Sequence, residues 1–197
     1  MRLLQHKILG IDPGTNVLGY GILNTEDKQL KVEVMGVLHL QKHPDHVTKL
    51  KEIFLQLQEI IETYLPATLA IEAPFFGKNV QSMLKLGRAQ GVAMAAGMTM
   101  GLDIHDYAPK AIKKSVTGNG NASKEQVSAM LGHILGVKFV DEYLDATDAL
   151  AAAMTFYNSQ KTLSFTGGAS KKKKIVSKGK KYSGWDSFIK DNQGRVK

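Results

Sequence analysis

Residues 8–15, near the N-terminus, read Ile-Leu-Gly-Ile-Asp-Pro-Gly-Thr and carry the first evidence of the fold. His6–Asp12 and Leu18–Asn24 are apolar runs separated by Pro-Gly-Thr-Asn, a pattern typical of a strand, a tight turn and a second strand. Leu30–Leu40 continues the alternation of apolar and polar residues. Three sequential strands with short links favour an antiparallel meander.

Beyond residue 46 the apolar residues change from a strand period to a helix period. The spacing predicts helices over 47–64, 79–100, 123–135 and 145–158, and short strands over 68–72 and 102–107. Ser123 followed by Gln126 forms a capping-box pattern at the start of the third helix. The order of three strands, helix, strand, helix, strand and two helices predicts an α/β fold. We expect a mixed five-stranded sheet flanked by helices.

Composition divides the chain into a neutral body and a basic tail. The net charge is +8, and residues 170–197 alone hold 10 basic and 2 acidic residues. Gly, Ser and Lys replace the apolar pattern after Thr162, and four lysines occupy 171–174. We therefore predict one globular domain over residues 1–160 and a basic, flexible tail over 161–197.

The sequence also limits the compartment and the site chemistry. There is no cysteine, so disulfides and thiolate metal sites are excluded. Residues 1–7 carry charged and polar side chains where a signal peptide needs an apolar run. No stretch approaches the ~18 apolar residues of a membrane span. We expect a cytoplasmic protein without a membrane partner.

Four carboxylates stand where buried elements begin or end. Asp12 ends the first strand and Glu72 the fourth, while Asp145 and Asp148 share one face of the last helix. Each has an ordinary alternative, such as a helix cap for Asp145 or a turn contact for Asp12. Together they would repel by about 4 kcal/mol per pair at ~4 Å, so the cluster requires cations.

Oxygen-only ligands favour Mg²⁺, with Mn²⁺ as a substitute. Two such ions per subunit, ~3.5–4 Å apart, can activate water and stabilise the leaving oxygen of a phosphodiester. A sugar kinase or actin-like ATPase also opens on an Asp-x-Gly-Thr turn. Those proteins, however, need a second phosphate loop and a second domain, which this sequence lacks. A nuclease acting on RNA or ordinary duplex remains open at this point.

Four ordered blocks resemble the RuvC family of crossover junction endodeoxyribonucleases. They are Ile8–Thr15 with Gly19-Tyr-Gly21, Ile71–Val80, Leu84–Gly91 and Asp145–Ala151. The resemblance implies a ribonuclease H-like fold, Mg²⁺ dependence and paired symmetric nicks that resolve Holliday junctions in DNA recombination and repair. It also implies that Asp12, Glu72, Asp145 and Asp148 are the catalytic, metal-binding acids.

A basic segment with one candidate aromatic side chain indicates where DNA would bind. Residues 75–124 hold seven cations and two acids, a balance suited to a polyanion. Phe75 follows Glu72 in an expected loop, where an exposed ring can stack on an unpaired base; core packing is the alternative. The predicted DNA contacts are Phe75, Lys78, Lys85, Arg88, Lys113, Lys114 and Lys124. By resemblance, Lys113 and Lys124 stand near the active site.

The helix over 79–100 is rich in Gly, Ala and Met. A Met stripe is usually core, and a close helix–helix contact between two subunits is the alternative. The resemblance implies a homodimer through this helix, which would present two equivalent sites to a four-way junction. It also implies a branch-migration helicase complex as partner. The Lys-rich tail lies outside the family resemblance.

Overall fold

A computed structural model describes residues 6–26, 29–74, 79–139 and 144–165, and its core is one mixed five-stranded sheet. The strand order is β3-β2-β1-β4-β5, in which β1, β2 and β3 are antiparallel neighbours while β4 and β5 run parallel to β1. The strands are β1 (His6–Asp12), β2 (Val17–Glu26), β3 (Gln29–His39), β4 (Thr68–Glu72) and β5 (Asp103–Tyr107). The predicted sheet and meander are confirmed.

Helices cover both faces of this sheet. They are α1 (His46–Tyr64), α2 (Val80–Thr99), α3 (Pro109–Thr117), α4 (Lys124–Leu135) and α5 (Leu144–Phe165). Successive strand residues point to opposite faces, so Leu9 and Ile11 join α1 and α2 in one core cluster. Ile8 joins α3, α4 and α5 in the other. Among the described residues, no helix has the length and hydropathy needed to span a membrane.

Helix α3 was not predicted, and its omission is a correction to the expected element order. Its nine residues begin at Pro109, two residues after the predicted strand over 102–107. The signals were present: proline at the first helical position, Ile112 and Val116 buried at a four-residue spacing, and Gly118 at φ 78° after the last turn. Two apolar residues separated by Lys113, Lys114 and Ser115 are too short a pattern to establish a helical period.

Helix α5 is longer than predicted, because it continues past Asn158 to Phe165. A polar Asn158 suggested a helix end, but its side-chain amide donates to the Ser115 carbonyl oxygen at 3.2 Å instead. This bond ties α5 to α3 without interrupting the helix. The five strands, α1 to α4 and α5 as far as Thr162 belong to one compact unit, Met1–Thr162. The predicted tail lies outside the described residues from 166 onward.

Strand register places the ends of β1 and β4 together. Ile11 pairs with Ile71 in the parallel ladder, so Asp12 and Glu72 follow at adjacent positions on the same edge. Strand β3 runs parallel to β1 because both are antiparallel to β2. The helices that follow β3 and β4 therefore begin at this edge too. The edge is called the carboxyl edge below.

Candidate active site

Three of the four predicted acids meet at the carboxyl edge. Asp12, Asp145 and Asp148 each offer a carboxylate oxygen, and these atoms all lie within 4.8 Å of one another. Asp145 lies in the first turn of α5, and Asp148 follows one turn later on the same side. Glu72 is adjacent on β4 but is not part of this 4.8 Å group among the described residues.

Close packing of α5 on β1 and β2 brings its acids to the sheet. A methyl group on Gly10 would come within 1.9 Å of the Ala149 carbonyl oxygen, and one on Gly19 within 2.0 Å of the Asp145 carbonyl oxygen. Only glycine allows the helix backbone to approach this closely. In the sequence, the small residues of the Gly19-Tyr-Gly21 motif and of the run Ala149–Ala153 indicated this close packing. Gly19 thus fixes the position of Asp145.

The Lys124 ammonium lies between the acids of α5. Its Nζ is 3.7 Å from Asp145 Oδ1 and forms an ion pair with Asp148 Oδ2. Lys124 is the first residue of α4, and the predicted capping box of Ser123 and Gln126 is present. The cap fixes the start of α4 and so directs the lysine towards α5.

The charges at the carboxyl edge are strongly coupled. Burial, followed by the charges of Glu72 and Asp148, raises the pKa of Asp12 to about 8. Burial and the charge of Asp148 raise the pKa of Glu72 to about 6. Burial also raises the pKa of Asp148, against the hydrogen bond from Lys124. One lysine therefore does not neutralise the cluster.

These residues suit a hard divalent cation. The converging donors are carboxylate oxygens, without a histidine or cysteine in the group found among the described residues. Such oxygen donors favour Mg²⁺ or Mn²⁺ over softer metals. A bound cation stabilises the ionised form of an acid. The acids whose pKa values are raised are therefore the ones that a cation would stabilise most. The donor set thus fits the predicted cofactor.

The predicted DNA-binding cations occupy two sides of the carboxyl edge. Lys113 Nζ donates to the Ala122 carbonyl oxygen at 2.7 Å, so it braces the loop before α4, and its charge also acts on Glu72. Lys114 is exposed in the last turn of α3. Lys85 and Arg88 are exposed on α2. The predicted contacts Phe75 and Lys78 lie outside the described residues.

Known proteins match this chain over most of its length. A family model described as "Crossover junction endodeoxyribonuclease RuvC" matches residues 8–156. The crossover junction endodeoxyribonuclease RuvC of Christiangramia forsetii is 52% identical over 194 residues, covering 98% of this chain and 94% of the relative. That of Cytophaga hutchinsonii is 53% identical over 196 residues, covering 100% and 90%.

Solved structures agree with the fold described above. Thermus thermophilus RuvC gives a TM-score of 0.72 at 28% identity, covering 79% of this chain and 96% of that one. T. thermophilus RuvC in complex with Holliday junction substrate gives 0.70 at 25% identity, covering 80% and 96%. This likeness confirms the predicted ribonuclease H-like fold.

The chain belongs to the crossover junction endodeoxyribonuclease RuvC family. Membership confirms the predicted activity class, a hydrolytic endonuclease of junction DNA. The alternative of a sugar kinase or actin-like ATPase is thereby set aside.

Proposed function

We propose that this protein resolves four-way DNA junctions by metal-dependent hydrolysis at the carboxyl edge, with Asp12, Glu72, Asp145 and Asp148 as its catalytic acids. The observation that carries the proposal is the convergence of Asp12, Asp145 and Asp148 within 4.8 Å. Family membership supplies the substrate class. The T. thermophilus relative solved with a Holliday junction substrate supports the same choice.

The same four acids would hold Mg²⁺, with Mn²⁺ as a substitute and two ions per subunit. When bound, such ions activate a water molecule and stabilise the leaving oxygen of a phosphodiester. Asp12 belongs to both the β1 end and the α5 group, so it would bridge the strand and helix ligands. Glu72 completes the set from β4, where burial and then the charge of Asp148 raise its pKa to about 6.

Lys124 and Lys113 would act on the substrate side of the cluster. Lys124 keeps a positive charge: burial alone would lower its pKa, but the hydrogen bond and charge of Asp148 raise it. Its ammonium would bind a non-bridging oxygen of the scissile phosphate. Lys113 would hold the Asn119–Ala122 loop in place through its bond to the Ala122 carbonyl oxygen.

The remaining DNA contacts are proposed on both sides of the carboxyl edge. Exposed cations on α2 and α3 suit backbone phosphates, and Phe75 would stack on an unpaired base. The proposed set outside the acid cluster is Phe75, Lys78, Lys85, Arg88, Lys113 and Lys114, with Lys124 at the scissile phosphate.

A homodimer through α2 would present two such sites. Large apolar residues on α2 are exposed: Val80 is 63%, Leu84 53% and Met98 57% accessible. Gly87 and Gly91 have open space where a side chain would stand, which suits close approach of a second helix. An isologous pair would match the two equivalent strands of a junction.

Three further parts of the proposal concern the rest of the chain and its setting. Residues 1–160 form the nuclease domain, and 161–197 form a basic tail that begins with the last residues of α5 and is flexible beyond them. A branch-migration helicase complex is the protein partner. The protein works in the cytoplasm, where its DNA substrate is found.

The test is cleavage of a labelled four-way junction beside a matched linear duplex, each with Mg²⁺ or chelator. We expect paired nicks on the junction alone, dependent on Mg²⁺ and lost in Asp12→Asn. The matched control is Asp106→Asn, which removes an exposed carboxylate from β5. Equal cutting of the duplex would move the function to another substrate. Full activity of Asp12→Asn would contradict the assigned acid.

A further inference from the structure

A second group of basic side chains lies where α1 and α2 begin, on the face of the sheet opposite α5. It comprises His43, His46, Lys49, Lys85 and Arg88 and is named the α1–α2 cationic surface. Both helices start at the carboxyl edge, because each follows a strand that ends there. The α1 members fall outside the predicted DNA-binding segment 75–124.

The turn after Asp12 connects this surface to the active site. Lys49 Nζ donates to Asn16 Oδ1 at 3.0 Å, and the Leu40 amide donates to the Asn16 carbonyl oxygen at 2.8 Å. Asn16 stands four residues after Asp12. Asn16 therefore joins the end of β3, through Leu40, and the first turn of α1, through Lys49, to the turn that follows the catalytic strand.

The charges of this surface converge and lack acidic partners. Burial, then the charges of Arg88, Lys85 and Lys49, lowers the pKa of His46. None of those three cations forms an ion pair with a carboxylate in the described part of the chain. Nearby Asp45 is engaged as the N-cap of α1, where it accepts from the Thr48 amide at 2.8 Å.

The two histidines of this surface do not offer exposed donors. His43 Nε2 and His46 Nε2 are buried and have no hydrogen-bond partner. The accessible charges are those of Lys85 and Arg88, which are exposed, and of Lys49, which is partly exposed. These three cations complement an anion that carries several regularly spaced charges. A nucleic-acid backbone beside the cutting site provides such an anion.

We propose that the α1–α2 cationic surface binds the sugar–phosphate backbone of a junction arm, with Lys49 making the phosphate contact from α1. The inference rests on the proposed junction-cutting function and adds a DNA-contacting element to it. With Lys113, Lys114 and Lys124 on the other face, cations then flank the acid cluster on both sides of the sheet. Lys49 is a positioning residue: it holds the arm and does not touch the reacting atoms.

The salt dependence of junction binding tests this directly. Affinity for a labelled four-way junction is measured in chelator from 50 to 200 mM salt, for the wild type and Lys49→Gln. Each lost phosphate contact reduces the slope of log K against log salt by about 0.9, so from 50 to 200 mM salt the wild type should lose about 3.5-fold more affinity than Lys49→Gln loses. Lys49→Arg should keep the wild-type slope.

Lys51→Gln is the matched control, because Lys51 is exposed on the same helix and points about 200° away from Lys49. With Mg²⁺ and limiting enzyme, Lys49→Gln should cut the junction more slowly than the wild type because it binds more weakly, while Lys51→Gln should cut at the wild-type rate. Identical salt slopes for Lys49→Gln and Lys51→Gln would overturn the inference while leaving junction cutting intact. A wild type that neither binds nor cuts the junction would overturn the proposed function together with this inference.

Discussion

Replacing Asp12 by asparagine should stabilise the metal-free protein while abolishing its cleavage. The Asp12 carboxyl has a pKa of about 8 in the folded protein against an ordinary value of 3.8. Between these values the unfolded chain releases the proton and the folded chain keeps it. Stability therefore falls as pH rises through that window. Asparagine imitates the protonated acid and removes this cost.

The size of the effect follows from the difference between the two pKa values. Each pKa unit corresponds to about 1.36 kcal/mol, which sets a ceiling of about 4 kcal/mol at pH 7. Glu72 and Asp148 take up protons in place of Asp12, and solvent reaches the site, so we expect about 1–3 kcal/mol. For a domain of this size that is a rise of roughly 3–10 °C in Tm.

Thermal melts in chelator at pH 5, 7 and 8.5 provide the measurement. The advantage of Asp12→Asn should be smallest at pH 5, grow to pH 8 and then level off. Saturating Mg²⁺ should reverse the order, because only the wild type keeps all its ligands. Asp106→Asn should show neither behaviour. An Asp12→Asn protein that melts at or below the wild type at pH 8.5 in chelator would refute the reasoning.

Two further substitutions probe how the acids are held in place. Gly19→Ala puts a methyl group within 2.0 Å of the Asp145 carbonyl oxygen, so α5 must shift by about 1 Å. We expect a loss of about 1–3 kcal/mol and a fall of about a hundredfold in junction cleavage, and unchanged cleavage and melting would argue against it. Lys124→Gln removes the cation from between Asp145 and Asp148 and should lower stability in chelator by about 1–2 kcal/mol. That loss should shrink when Mg²⁺ is added, and an equal loss with and without the metal would contradict the cluster.

Much of the site could be predicted because its acids lie at the ends of regular elements. Asp12 and Glu72 each end an apolar run, and Asp145 and Asp148 recur at a helical spacing. Such positions depend on local periodicity, which the sequence displays directly. The capping box of Ser123 could be predicted for the same reason, since Ser123 and Gln126 stand three residues apart.

Contacts between elements that are far apart in the sequence could not be predicted in this way. Lys124 meets Asp148 from 24 positions away along the chain, and Lys49 meets Asn16 from 33 positions away. Several lysines are candidates for each acid. Which of them reaches it depends on where the helices end and on the direction of the helix axes. Helix α3 also depends on contacts between distant parts of the chain, because Ile112 and Val116 stabilise it by packing against α4 and α5.

Local sequence patterns were enough to predict the strands, four of the five helices in the described part of the chain, the acids at their ends and the family of the protein. The folded structure was needed to find that three acids share one 4.8 Å group, that Lys124 lies among them and that α1 brings basic side chains to the same edge. This difference arises from the range of the interactions involved. Backbone propensity and capping act within a few residues, whereas charge and close packing act between elements that only the folded sheet brings together.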